Sequence, residues 1–576
     1  MATDLEVPVL VIGAGPTGLT AAHVLGRAGT RSLVVERRAA IGKLPRATGV
    51  RIRTMELFRA WGIDDAIVRR AIPVRDGGEF AWVHTVAGEH YGVTTTAAME
   101  NGAVRRAATP MEVVFCPQDQ VEPVLLDELH RNPNAEVRFS TEVISLAQDD
   151  DGVVAVAEDR VTGAVTRIRA RYVLGADGAG SFTRRSLGVG MTGPDARASF
   201  VNIDFLADLQ PYVGDWPAVL YAVINTRASG TLAARDGRRQ WYFSVAAGGT
   251  TAVDPSDPDS CAQVIRDAIG VPDLDVEIES ARTWHMDAKV AEHWRRGNIF
   301  LLGDAAHRFP PTGGFGMNSS IHDAHNLAWK LHAVLAGWAG PELLDSYEEE
   351  RRPVARFNAE QSWHNMDLMA ETGVDSRIYE FAAGLEAETD AAQRPLREKI
   401  RRGIPLQRPQ LDGLGQDIGF VYASRAVISD GTAPTLARSP EFRPSAAPGR
   451  RVPHYTLLRN GSESSPLDLV EGRFTLFAGE DGGPWADAAR SAARLRGLPL
   501  QAFRVTTGLD AGATELRDPM GMWSKSAGTG PDGAFLVRPD GHIAWRTAVE
   551  AGPEAATDIG AVLDTILSRK PEGGAL

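Results

Sequence analysis

Residues 7–18 read Val-Pro-Val-Leu-Val-Ile-Gly-Ala-Gly-Pro-Thr-Gly, and this stretch decides the fold. Val7 to Ile12 is a near-continuous apolar run, the pattern of a strand buried on both faces of a parallel sheet. Pro8 stands at its start, where a missing N–H is tolerated. Gly13, Gly15 and Gly18 follow at once as G-x-G-x-x-G, Leu19 to Ala28 reads as a helix, and a second apolar run, Ser32 to Val35, ends in Glu36. Each part has a physical task. The glycines allow a tight turn and let backbone amides approach a pyrophosphate on the helix N-terminus. The acid after the second strand can accept the hydroxyls of an adenosine ribose. The chain supplies its own control in Gly188, Gly190 and Gly193, which match the same spacing. That copy follows a basic turn (Arg184, Arg185) and leads into no helix, so it reads as loop.

Working outward, 576 residues are too many for one core and imply several domains. With 43% hydrophobic and 23% charged residues the chain is an ordinary folded one, not a disordered or fibrous one. Its net charge of −13 argues against nucleic acid or an anionic membrane surface as the main partner. Two cysteines, Cys116 and Cys261, form neither a disulfide framework nor a thiolate metal site and suit a reducing cytoplasm. Asp4 and Glu6 stand where a signal peptide would be basic. The most apolar stretch, Ala328 to Leu344, is broken by Lys330, His332 and Pro341, so no membrane span is expected. The expectation is a cytoplasmic enzyme.

Two further segments narrow the ligand. Arg171 to Gly178 (RYVLGADG) is an apolar strand ending in the acid-glycine turn Asp177-Gly178. Asn298 to Asn318 (NIFLLGDAAHRFPPTGGFGMN) is another, ending at Gly303-Asp304. A Pro/Gly loop follows, and then a helix starting near Ser319, with Ile321, Ala324, Ala328, Leu331 and Leu335 at helical spacing.

Taken together, these segments resemble those of the FAD-dependent aromatic hydroxylases related to para-hydroxybenzoate hydroxylase and phenol hydroxylase. The likeness is strongest to the longer members acting on chlorophenols and polyketide antibiotics. It covers roughly residues 5–360, with a weaker likeness in the tail. It implies an α/β (α+β multi-domain) architecture: a Rossmann-like FAD-binding domain, an antiparallel-sheet substrate domain and a thioredoxin-like C-terminal domain. The expected division is 1–71, 116–189 and 283–360 for FAD, 72–115 and 190–282 for substrate, 361–400 as a helical connector and 401–576 as the tail domain.

The resemblance places the FAD pyrophosphate on Gly13, Gly15, Thr17 and Gly18, and the adenosine on Glu36 and Arg37. It assigns Asp304 to the ribityl chain and Gln120, Val143, Asp177 and Arg46 to further cofactor contacts. Pro310, Gly314, Gly316, Met317 and Asn318 would run along the isoalloxazine, with amides at the helix head facing N1 and the C2 carbonyl. A helix N-terminus there would stabilise the anionic reduced flavin. NADPH or NADH would act as a transient co-substrate and O2 as oxidant, through a C4a-hydroperoxyflavin that attacks an electron-rich ring. No amino-acid side chain is assigned as catalytic beyond the flavin, and no metal is expected. Three positions depart from the family pattern: Gly180 and Lys289 replace usual basic and arginine residues, and Thr48 stands where relatives carry a base candidate.

The expected function is an NAD(P)H- and O2-dependent FAD monooxygenase acting on a phenolic, quinoid or heteroaromatic small molecule, in secondary-metabolite tailoring. A flavin dehydrogenase without oxygen insertion and a non-catalytic, ligand-sequestering flavoprotein stay open. A halogenase is disfavoured because no W-x-W-x-I-P segment occurs. Substrate contacts are expected from Tyr221, Trp241, Phe243, Trp284, Met286 and His293. Trp241, Phe243 and Val245 alternate with Gln240, Tyr242 and Ser244, and one such face would roof the flavin. The alternative is that these aromatics fill the sheet's core.

His322, His325 and His332 share a helix, but no Glu or Cys completes a metal set, and His307 reads as a loop brace. Tyr347 to Arg352 (YEEERR) reads as a solvated helix face. Residues 401–447, rich in Pro, Gly and Arg, read as a linker or extended wrap. Beyond them come a strand (Phe474 to Ala478), a helix (Trp485 to Arg496), a strand near Ala502 to Val505, a hairpin (Ala534 to Arg546) and a final helix (Ala555 to Ser568). The tail has no cysteine, which excludes thiol–disulfide exchange and leaves a structural or homodimer-forming role.

Overall fold

The computed structural model describes residues 3–42, 47–73, 79–95, 102–194, 198–213, 218–250, 253–411, 413–432, 442–508, 512 and 514–570. The opening strand, Thr3–Ile12, lies inside a sheet ordered Arg295–Arg296, Ile299–Leu301, Val165–Gly175, Thr3–Ile12, Ser32–Val35, Ala135–Arg138. All neighbours from Ile299–Leu301 onward run parallel. An antiparallel hairpin, Thr141–Asp149 and Gly152–Asp159, hangs from Val165–Gly175. Helices Pro16–Arg27, Gln118–His130 and Phe315–Leu335 share one apolar cluster with the sheet. This explains the unbroken apolar run at Val7–Ile12: Val9, Leu10 and Val11 are fully buried, Val9 and Val11 toward the helices and Leu10 toward the hairpin.

A second sheet runs Glu277–Met286, Ala198–Leu206, Gln240–Ala246, Gly230–Ala234, Leu220–Val223, Glu79–Val83, His90–Thr95. Every pair is antiparallel except Leu220–Val223 with Glu79–Val83. Helix Pro258–Ile269 covers one face. Part of the other face packs on Ile378, Ala382, Leu385, Ile400 and Ile404 of the connector.

The tail forms a third sheet, whose inner order is Leu500–Thr506, Phe474–Ala478, Ala534–Val537, Ile543–Thr547. The first pair is parallel and the rest antiparallel, a thioredoxin-like arrangement, with helices Gly483–Arg496 and Ala555–Ile566 on one face. Trp329 and Ala333, on helix Phe315–Leu335, enter that same cluster. Residues 401–418 hold short helical turns (Ile404–Gln407, Arg408–Leu411, Leu414–Ile418) rather than an extended linker. Their Pro and Gly hide the helical period. Tyr347–Arg352 is likewise not a solvated face: Tyr347, Glu350 and Arg351 are buried. Among the described residues no helix is long and apolar enough to cross a membrane.

Candidate active site

Four parallel strands end abreast. Val35 registers with Ile12, Ile12 with Gly175, and Gly175 with Leu301. Gly13–Gly18, Glu36, Asp177 and Asp304 therefore all follow strands that end at one sheet edge, the edge where open α/β sheets bind ligands. Gly13 has φ +108°, and a Cβ there would stand 2.4 Å from the Ala176 carbonyl oxygen. A Cβ on Gly18 would stand 1.9 Å from the Gly13 carbonyl oxygen, so this glycine lets the helix close onto its own turn. Gly15 differs: its missing Cβ faces open space. No side chain caps helix Pro16–Arg27, and its first amides stay free for an anion.

Glu36 is oriented at this edge, accepting the Ala14 amide at 3.0 Å on Oε2 and the Arg38 amide at 3.0 Å on Oε1. Arg37 is exposed beside it. Thr17 is buried against Gly303, whose Cβ position lies 2.5 Å from Thr17 Oγ1. Val143 packs its side chain into the apolar cluster of Leu33, Val35 and Val153. Asp177 is engaged within its own turn, accepting Ser181 Oγ at 2.5 Å, and the Thr183 amide at 2.8 Å and hydroxyl at 3.0 Å. Asp304 is half-buried at the tip of the turn Gly303–Ala305. Gln120 is half-buried near the start of helix Gln118–His130, next to the Asp119–Arg235 ion pair at 3.2 Å. Arg46 lies outside the described residues.

Helix Phe315–Leu335 starts four residues earlier than its apolar spacing suggests, because Gly314 takes φ +68° and turns the chain into it. It too lacks a side-chain cap. Gly314 and Gly316 both face open space, Pro310 and Met317 are buried, and Asn318 is fixed by its neighbours. The Asn318 carbonyl oxygen accepts the Arg51 amide at 2.9 Å, and its Nδ2 donates to the carbonyls of Gly49 at 2.9 Å and Gly314 at 2.7 Å. Arg51 was invisible to sequence reasoning. Its guanidinium lies 4.9 Å from the Phe315 ring centroid, donates to the Gly313 carbonyl at 2.6 Å and pairs with Asp417.

Register separates the two faces of the second sheet. Tyr221, Leu232, Phe243 and Ile203 form one row, and with Trp241 they pack on helix Pro258–Ile269. Tyr221, Trp241 and Phe243 are 0–2% exposed. This packing matches the alternative reading, in which these aromatics fill the sheet's core. The opposite row holds Ala233, Tyr242, Asp204 and Ser280. Tyr242 is hydrogen-bonded to Thr48, two residues before Val50 in the segment that Asn318 grips, so this face is turned toward that segment. Burial, together with the nearby Asp204 charge, pushes the Tyr242 phenol up to about 12 and keeps it neutral. Asp204 accepts Ser280 Oγ at 2.7 Å and Arg282 at 3.0 Å. Trp284 shares this face, stacked 5.1 Å from Phe200 and donating to Asn202 at 2.6 Å. Met286 is buried at the end of the same strand. His293 stands apart, half exposed, 3.8 Å from Glu348.

The helix histidines each have their own neighbour: His322 with Thr54 at 3.1 Å, His325 with Glu471 at 3.2 Å, His332 with Thr30 at 2.8 Å. His307 is fully buried, 2.6 Å from Asp323, and braces its loop. Among the described residues no group of His, Cys, Asp and Glu is placed to hold a metal ion.

These features fit FAD. Two uncapped helix starts, three glycines opening onto space (Gly15, Gly314, Gly316) and two acids at the sheet edge (Glu36, Asp304) match a pyrophosphate, a flat ring and two polyol segments. Comparison with known proteins agrees. Residues 6–362 match the FAD binding domain family and residues 445–569 the aromatic-ring hydroxylase C-terminal family. Tetracenomycin B2 monooxygenase-dioxygenase of Streptomyces olivaceus is 37% identical, the match covering 98% of this chain and 99% of that one. The flavin-dependent monooxygenase PieE, solved with FAD and substrate, superposes with a TM-score of 0.89 at 33% identity, covering 99% of this chain and 100% of that one. Aklavinone-11 hydroxylase, solved with FAD and aklavinone, gives 0.82 at 35% identity, covering 98% and 100%. The chain belongs to the FAD-dependent aromatic-ring hydroxylases, flavoprotein monooxygenases that use NAD(P)H and O2 on aromatic small molecules.

Proposed function

We propose that the protein hydroxylates a polycyclic phenol or quinone of polyketide type, as a tailoring step in secondary metabolism. The observation that carries this reading is the sheet surface that carries Tyr242. It joins a stacked aromatic pair (Phe200, Trp284) to polar groups (Tyr242, Asn202, Ser280, Arg282) suited to a flat ring system bearing oxygens. The names of the relatives, tetracenomycin B2 and aklavinone enzymes, point the same way.

FAD bound there would supply the hydride acceptor for the nicotinamide co-substrate and the means of activating O2, with one oxygen atom going to the ring and the other leaving as water. The protein's part is to bind, orient and keep dry. Amides of Gly15, Thr17 and Gly18 hold the pyrophosphate, Glu36 (with Arg37 beside it) the adenosine ribose, and Asp304 and Gln120 the ribityl side. Amides of Gly316, Met317 and Asn318, at a positive helix end, stabilise negative charge on the reduced ring. The neutral Tyr242 hydroxyl, poised by Thr48, holds a substrate oxygen, while the Trp284–Phe200 stack, four residues further along the same face, covers the more distant rings from water. The domain division given by the resemblance is part of this proposal, supported by the three large sheets of eight, seven and seven strands.

The test is NADPH and NADH oxidation by the yellow protein against a panel of monocyclic phenols, anthraquinones and linear tetracyclic phenols. The expected result is stimulation by polycyclic members with matching product. Stimulation by monocyclic phenols alone, or turnover under argon with a dye acceptor and no oxygen uptake, contradicts the reading.

A further inference from the structure

Helix Ser346–Met369 carries two consecutive buried residues of opposite charge that reach in different directions. Glu350 faces the tail. Arg538 donates to it at 2.5 and 2.9 Å, Lys330 at 2.8 Å and Ser424 at 2.6 Å. Arg351 faces the sheet edge, donating at 2.8 Å to Asp323 on helix Phe315–Leu335. Asp323 also lies 2.6 Å from His307 Nε2 and accepts the Gly303 amide at 3.2 Å. One fully buried carboxylate thus gathers three partners, and one of them is the backbone of the turn that presents Asp304.

That turn has no slack. Gly303 takes φ +57°, and its Cβ position lies 2.5 Å from Thr17 Oγ1 and 2.9 Å from Ser320 Oγ. From Arg351 the contacts continue outward to the Tyr422 hydroxyl at 3.2 Å. The Tyr422 ring is 4.2 Å from the ring of His542 and 5.5 Å from the Arg538 guanidinium, both in the turn that joins strands Ala534–Val537 and Ile543–Thr547 of the C-terminal domain. Burying charges costs several kcal/mol per ion, and well-packed apolar groups are often as stable or more so, so such a network calls for a role beyond stability. The tail has no cysteine to give it a redox role.

We propose that Asp323 is a positioning residue for FAD, and that the C-terminal domain holds it in place through Tyr422 and Arg351. The tail is then a working part of the flavin site: it keeps the Gly303–Asp304 turn at the height the ribityl chain needs. This rests on the assignment of Asp304 made under the proposed function.

The experiment measures FAD dissociation constants by fluorescence quenching on titrating apoprotein, with the apoprotein melting temperature recorded beside it. Asp323→Asn keeps shape but loses charge, and it raises the constant about tenfold to a hundredfold, the range for a lost charged hydrogen bond. Tyr422→Phe keeps the ring, and it raises the constant about fivefold. Should Asp323→Asn not fold, Tyr422→Phe decides. Glu471→Gln is the control: it weakens another buried contact of the tail, with His325 and Trp61, that does not reach Gly303. It lowers the melting temperature and leaves the FAD constant within about twofold. An equal loss of FAD in Glu471→Gln shows general loosening and overturns the proposal. Asp304→Ala, run in parallel, separates the two assignments. If it loses FAD while Asp323→Asn and Tyr422→Phe do not, this proposal alone falls. If it too keeps FAD, the ribityl assignment falls with it.

Discussion

Asn318 accepts the backbone N–H of Arg51 at 2.9 Å, across 267 residues of sequence. Its amide group simultaneously donates to Gly49 and Gly314, so one side chain fixes the flavin loop against the segment that carries Thr48. Asn318→Ala leaves a buried amide and two carbonyls without partners, at about 1–3 kcal/mol for each unpaired group. The expected outcome is a lower melting temperature of the apoprotein together with weaker FAD binding. A variant as stable and as yellow as the parent contradicts this role.

The glycines of the opening motif separate by what they face. Gly15→Ala points a methyl into open space, so the apoprotein melts as before, but the pyrophosphate loses room and FAD affinity drops. Gly18→Ala drives a Cβ into the Gly13 carbonyl, and destabilises the apoprotein itself. Melting curves of the two apoproteins check this. Equal stability loss in both contradicts a ligand role for Gly15.

Glu36 accepts two backbone amides at the end of strand Ser32–Val35, and its proposed partner is the adenosine ribose. Glu36→Gln keeps the shape and weakens the acceptor. FAD affinity is expected to fall about tenfold, while the turnover rate at saturating FAD is unchanged. An unaltered dissociation constant contradicts the ribose role.

Acid should destabilise the fold in a defined window. Burial, reinforced by Arg27, pushes His23 down to about 4, and burial, partly offset by Asp540, pushes His542 to about 4. His454 moves in the same direction. Because the unfolded chain takes up these protons near pH 6.5, stability is full above that pH and is lost as pH falls from 6.5 toward 4. Each of the two fully buried histidines contributes up to about 1.4 kcal/mol per pH unit. Asp417, pushed up by burial against the pull of Arg51, opposes this slope. Asp323 and Glu471, both held low, lose their contribution only at more acid pH. Melting temperatures from pH 7 to 5 should decline, and His23→Asn should flatten the decline. A pH-independent melting temperature contradicts the burial of neutral histidine.

Local signals carried most of the fold. The strand–glycine–helix–strand–Glu36 order, the Asp177-Gly178 and Gly303-Asp304 turns and the tail hairpin are all written in adjacent residues, and each forms as that spacing implies. Alternation at Gln240–Ala246 told which residues share a face but not which face is covered, since both carry aromatics; packing on helix Pro258–Ile269 buries the Trp241, Phe243 and Val245 side. Long-range polar pairs left no trace. Arg51 meets Asp417 and Glu350 meets Arg538 over separations of 366 and 188 residues, and YEEERR reads the same whether it is solvated or buried.

Oxygen transfer is the claim on which the functional account stands, and labelled dioxygen tests it most directly. FAD-loaded protein given NADPH, a polycyclic phenol that stimulates oxidation, and 18O2 should yield product heavier by one labelled oxygen, with one NADPH consumed per product. Unlabelled product, product formed equally under argon, or NADPH consumed with all the oxygen recovered as hydrogen peroxide would contradict it.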